Sequence, residues 1–77
     1  MTTGLVDKNL NLIPSKSIVY GKYEGKYHFF NIGLNARNEV HMIACTYGYV
    51  HNVTQSDIED FLLIGSLEEH KHLLECD

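Results

Sequence analysis

Residues 17–51 hold three runs dense in β-branched and aromatic side chains, each closed off by turn residues, and no other pattern in the chain restricts its fold as strongly. Ser17 to Tyr23 and Lys26 to Leu34 flank Glu24-Gly25, where glycine can take the positive φ that a tight hairpin demands. Glu39 to Tyr47 follows the polar loop Asn35-Ala36-Arg37-Asn38, which completes a three-stranded antiparallel meander. Gly48, between Tyr47 and Tyr49, marks a bulge or a sharp turn. Tyr49 to Val53 then reads as a short fourth strand or as a bent continuation of the third. Ahead of the meander, Gly4 to Pro14 reads as two short extended pieces around a polar turn at Asp7 to Asn9.

Beyond residue 53 the apolar period changes from two to 3.6. Ser56-Asp57-Ile58-Glu59 is a capping-box pattern, with Thr54 as a competing cap, and Ile58, Phe61, Leu62 and Gly65 fall on one helical face. Ser66-Leu67-Glu68-Glu69 is a second capping box, opening a shorter helix with Leu67 and Leu74 on one side. The expected architecture is α+β: a small antiparallel β-meander of three to five strands, followed by one or two short C-terminal helices packed on one sheet face. With 77 residues there is room for one hydrophobic core. Residues 1–77 are therefore expected as a single domain, about 1–53 extended or β and about 54–77 acidic and helical.

Placing Tyr23 opposite Lys26 and Leu34 opposite Glu39 sets a register, and the register sorts the meander into two faces. Val19, Phe30, Ile32, Ile43 and Cys45 then share one face with His28, His41 and Tyr47. Ile18, Tyr20, Tyr27, Phe29, Val40, Met42 and Ala44 share the other. A sheet wet on one side alternates apolar with polar residues, and this one does not. Both faces need a cover, and two short helices supply one. The second cover has three sources: the N-terminal segment folded back, closure into a small barrel, or another chain. The second face is rich in Tyr, Phe and Met and poor in charge, the composition of contact surfaces. Tyr20, Tyr27, Phe29 and Met42 are the candidate binding residues.

Charge is unevenly divided. Lys8, Lys16, Lys22, Lys26 and Arg37 against Asp7, Glu24 and Glu39 leave residues 1–56 at +2. Residues 57–77 carry seven carboxylates against Lys71 alone, which is -6 and brings the chain to -4. Six basic residues are a thin footprint for DNA or RNA, so nucleic-acid binding is not expected. No apolar run approaches the ~20 residues of a bilayer-spanning helix, and no basic-then-apolar leader opens the chain. Two cysteines, Cys45 and Cys76, are too few for a disulfide framework. The expectation is a soluble cytoplasmic protein with free thiols.

Chemistry-bearing constellations are sparse in this chain. His41…Cys45 and His72…Cys76 repeat a His-x-x-x-Cys spacing, but on a strand that spacing separates the two side chains by about 13 Å, too far to share a zinc ion. In the register above His28 falls opposite Cys45, the one imidazole–thiol pair that could serve as base and nucleophile, without a third group or a glycine-rich loop to complete it. No phosphate loop, paired-carboxylate set or dinucleotide fingerprint is present. The sequence therefore predicts no catalytic residues, no metal site and no cofactor. It points to a non-enzymatic regulatory or inhibitory protein acting through protein–protein binding, as a homodimer or with a protein partner, of the kind that phages and mobile elements direct at host machinery. The alternative is a small-ligand or nucleotide-binding module that stacks a ring on the aromatic sheet face, and a metal-binding protein stands behind both.

Overall fold

A computed structural model describes residues 2–74. The architecture is α+β. Strands β1 (Thr2–Val6) and β2 (Leu12–Pro14) form a separate two-stranded hairpin. Strands β3 (Ser17–Tyr23), β4 (Lys26–Leu34), β5 (Val40–Ala44), β6 (Gly48–Val50) and β7 (Leu62–Ser66) form an antiparallel sheet in the order β6-β5-β4-β3-β7. A 3₁₀ turn at Gln55–Asp57 precedes β7. Helix α1 (Leu67–His70) runs on into a 3₁₀ turn at Lys71–Leu74, and this eight-residue helical end packs on the sheet.

The first hairpin closes as its sequence requires. Glu24 and Gly25 both hold positive φ, 50° and 90°, as a two-residue turn of the primed kind needs, and Tyr23 pairs with Lys26. The next loop departs from expectation by one residue. Leu34 pairs with Val40 rather than Glu39, because the loop takes five residues and not four. Asn35 builds it: its Oδ1 accepts from the amides of Arg37 (2.8 Å) and Glu39 (3.0 Å), its own amide donates to the Glu39 carbonyl, and Asn38 takes the left-handed conformation that asparagine tolerates. Because side chains alternate along a strand, this one-residue slip turns every side chain of β5 over. Val40, Met42 and Ala44 join Val19, Phe30 and Ile32, while His41 and Ile43 go to the opposite face.

Residues 56–65 also differ from expectation. The capping box forms at the competing Thr54, whose amide donates to Asp57 Oδ2 at 2.9 Å, but the turn ends at Ile58 and no α-helix follows. Leu62–Ser66 instead pairs with the outer edge of β3, Tyr20 opposite Leu62 and Val19 opposite Leu63. A run such as Phe61-Leu62-Leu63-Ile64 suits a buried strand as well as a helix. The open backbone of β3 decides between them, since pairing satisfies its exposed amides and carbonyls. Within the expected acidic helical region the α-helix thus begins only at Leu67, where the Ser66 hydroxyl accepts from the Glu69 amide.

The core lies on one sheet face. Val19, Phe30, Ile32, Met42 and Ala44 are covered by Ile13 from β2 and by Val53, Ile58 and Phe61 from the segment between β6 and β7. Three ties hold that cover down. Gln55 brackets Val6 with two hydrogen bonds, Val53 donates to the Val40 carbonyl, and the Lys8 amide donates to the Phe61 carbonyl. The buried Asp7 carboxylate accepts from the amides of Asn9, Asn11 and Leu63, joining the β1–β2 turn to β7. The N-terminal segment therefore folds back over the sheet, and the helical end goes to the other face.

Candidate binding surface

Cross-strand partners share a face, so Tyr20 opposite Phe29, Lys22 opposite Tyr27 and Tyr20 opposite Leu62 place these side chains together on the face away from the core. The Tyr20 and Tyr27 rings stack with centroids 5.5 Å apart and planes 16° apart, and Phe29 leans on Tyr20 at 4.5 Å. Three of the four candidate binding residues thus meet. Met42 does not. It is fully buried in the core on the other face, a consequence of the five-residue loop.

The tyrosine pair forms a ridge between two clefts. On one side a cleft of about 240 Å³ is lined by Tyr20, Tyr27, Phe29, Cys45, Leu73 and Leu74, where the helical end leans over the sheet. On the other a groove of about 460 Å³ runs between Tyr20, Tyr27, Lys8, Lys22, Asp60 and Leu62. Tyr27, at the crest, is 63% exposed.

Farther along the same face the cover runs out. Ile43 and Tyr49 are cross-strand partners on β5 and β6 and remain 40% and 44% exposed. Tyr49 stacks flat on His41, with planes 6° apart, and the His51 ring also lies against it, centroids 4.2 Å apart. The Nδ1 atom of His41 is buried with no hydrogen-bond partner among the described residues. None of these residues stood out in the sequence as contact candidates, because the expected register had put Ile43 in the core.

At the other end of the core face, Tyr47 meets Tyr23, His28 and Phe30 in a cluster of tilted and edge-on rings. The Tyr47 hydroxyl donates to the Glu24 carboxylate, which favours the neutral phenol and pushes its pKa up to about 12. Burial, and then the charges of Asp57 and Glu24, also raise Tyr23.

The imidazole–thiol pair is not poised for catalysis. His28 is buried, and its Nδ1 lies 2.7 Å from Thr46 Oγ1. Cys45 is disulfide-bonded, which replaces the expected free thiol and removes it as a nucleophile. The other cysteine, Cys76, and with it the His72–Cys76 spacing, lies outside the described residues. Peptide mapping of the unreduced protein should find the Cys45 peptide refractory to alkylation, and reduction should make it reactive. Alkylation at Cys45 without reductant would contradict the disulfide.

Among the described residues no group of three or more His, Cys, Asp or Glu side chains is placed to hold a metal ion. No helix among them is long and apolar enough to cross a membrane. Fold and surface together describe a small α+β module with an incompletely covered aromatic sheet face. Comparison with known proteins finds no matching family model, no matching curated protein and no matching solved structure.

Proposed function

We propose that this chain is a non-enzymatic regulatory or inhibitory protein that works through protein–protein contact, and that its first partner is a second copy of itself. The observation that carries the reading is the pair Ile43 and Tyr49, 40% and 44% exposed side by side on a sheet face whose helical cover, among the described residues, is eight residues long. Exposed aromatic and aliphatic residues grouped on a flat surface mark contact sites more often than isolated ones do. Two-fold dimers are the commonest assemblies of small soluble chains, and a patch on one face suits a self-complementary contact.

The β6 edge beside this patch is only three residues long, too short to serve as a strand-pairing template, so the contact is expected through side chains rather than backbone. Small carriers of such surfaces, without catalytic groups, fit the class that phages and mobile elements use against host machinery. A disulfide at Cys45 fits an oxidising compartment better than the reducing cytoplasm expected from the cysteine count.

Sedimentation equilibrium across a concentration series tests the reading. The wild-type chain should associate to dimers, and Ile43→Lys should shift it to monomers while leaving its far-ultraviolet circular dichroism unchanged, since Ile43 is a surface residue. A wild-type chain that stays monomeric at every concentration would remove the dimer, and mass spectrometry of proteins retained from lysate would then report the partner.

A further inference from the structure

We propose that the groove beside the tyrosine ridge binds a free mononucleotide, with the base on the Tyr20–Tyr27 stack, the phosphate at Lys8 and Lys22, and the ribose hydroxyls at Asp60. This site lies apart from the Ile43–Tyr49 patch and does not rest on the protein-contact reading.

Four observations converge on it. The groove measures about 460 Å³, inside the range of roughly 300–1,000 Å³ that small-molecule sites occupy. Its wall carries two rings stacked on one another, planes 16° apart, and a planar base can stack on the outer face of such a pair. Leu62 adds an apolar side to the same wall.

Both lysines reach the groove from rigid backbone. Lys22 sits on β3 directly opposite Tyr27, and Lys8 is held by the hydrogen bond its backbone amide donates to the Phe61 carbonyl, one residue from the Asp7 carboxylate that locks the turn. Neither ammonium has an ion-pair partner among the described residues. Two uncommitted cations around one groove match the charge of a phosphate monoester. Asp60 repels phosphate, but a carboxylate accepts hydrogen bonds from a pair of ribose hydroxyls. The groove therefore presents an aromatic wall, two cations and an acceptor, which are the three needs of a mononucleotide.

Charge argues for a free nucleotide over a strand of DNA or RNA. The chain carries -4 overall, and the groove itself holds one carboxylate, Asp60, beside its two lysines. A polyanion would have only those two lysines to hold it on a chain whose net charge repels it.

Isothermal titration calorimetry with AMP, GMP, CMP and UMP is the test, alongside adenosine, inorganic phosphate and a short single-stranded oligonucleotide. At least one monophosphate should bind saturably, with its nucleoside and inorganic phosphate each weaker by about tenfold or more. The double variant Lys8→Gln, Lys22→Gln should lose about tenfold in affinity for that nucleotide. Its circular dichroism and sedimentation should be unchanged, since both side chains are exposed. The proposal is overturned if no monophosphate binds at millimolar concentration, if the lysine variant binds as well as wild type, or if the oligonucleotide binds more tightly than every mononucleotide.

Discussion

Gly21→Ala is expected to cost the protein about 3 kcal/mol of stability, a large part of the roughly 4 to 12 kcal/mol that a domain of this size possesses. Gly21 lies on β3 opposite His28, and a Cβ there would overlap the ring of Phe61. Phe61 has no room to retreat. It is buried, stacks on Phe30 with centroids 5.8 Å apart, and its carbonyl is tied to the Lys8 amide. Moving the ring therefore means lifting the whole segment that covers the core. Extra volume in a packed core typically costs about 1–3 kcal/mol, and displacing a buried phenylalanine approaches the ~3–5 kcal/mol of deleting it. Urea unfolding of Gly21→Ala measures the loss. The double variant Gly21→Ala, Phe61→Leu should then be more stable than the two single losses added together predict, because the smaller side chain yields to the new methyl. A Gly21→Ala loss below about 1 kcal/mol, or strict additivity in the pair, would show that the ring accommodates the methyl freely.

The second large effect is expected at Asp7. Burial raises its carboxyl, but hydrogen bonds from Leu63, Asn11 and Asn9 outweigh that and hold its pKa below the ordinary 3.8. The carboxylate also works against local strain. Leu10, 80% exposed, sits at φ 65°, a left-handed conformation that costs a leucine about 1–2 kcal/mol and that the Asp7 turn sustains. Asp7→Asn puts an NH₂ where an oxygen faced a donor, so either the Leu63 amide or the Asn9 and Asn11 amides lose their acceptor. The expected cost is about 2–4 kcal/mol, since each buried donor left unpaired costs about 1–3 kcal/mol.

Acid should expose the same linkage. A depressed carboxyl contributes its full stabilisation above the unfolded value of 3.8 and loses it as the pH falls through the lower folded-state value. Wild-type stability should therefore fall below pH 3.8, and Asp7→Asn should fall less over that interval. Thermal melts at a series of pH values compare the two. Parallel curves would mean that Asp7 carries no such linkage.

Much of the β-sheet is legible along the chain. Glu24-Gly25 between two alternating apolar runs names the β3–β4 hairpin and its register, because a two-residue gap containing glycine suits a tight primed turn. Loop Asn35 to Glu39 is harder to read, since four- and five-residue closures both fit its polar composition, and the difference lies in which amides the Asn35 side chain receives. That single residue transfers Met42 from the candidate surface to the core and Ile43 from the core to the surface. The groove residues Lys8 and Asp60 could not be grouped with Tyr20 and Tyr27 in advance, because they come from two loops that meet the sheet only after folding.

The residue pattern settles the local questions: turn chemistry at Glu24-Gly25, strands dense in β-branched and aromatic side chains, a cap at Ser66, and an α+β chain with more apolar sheet face than helix to cover it. Packing settles the competitive ones. Leu62–Ser66 becomes a strand because the β3 edge is open beside it. The N-terminal hairpin covers the core because the Asp7 carboxylate and Gln55 bind it to the far end of the chain. Each of these outcomes depends on partners more than forty residues away, and local propensity carries no information about which distant backbone will need a hydrogen bond.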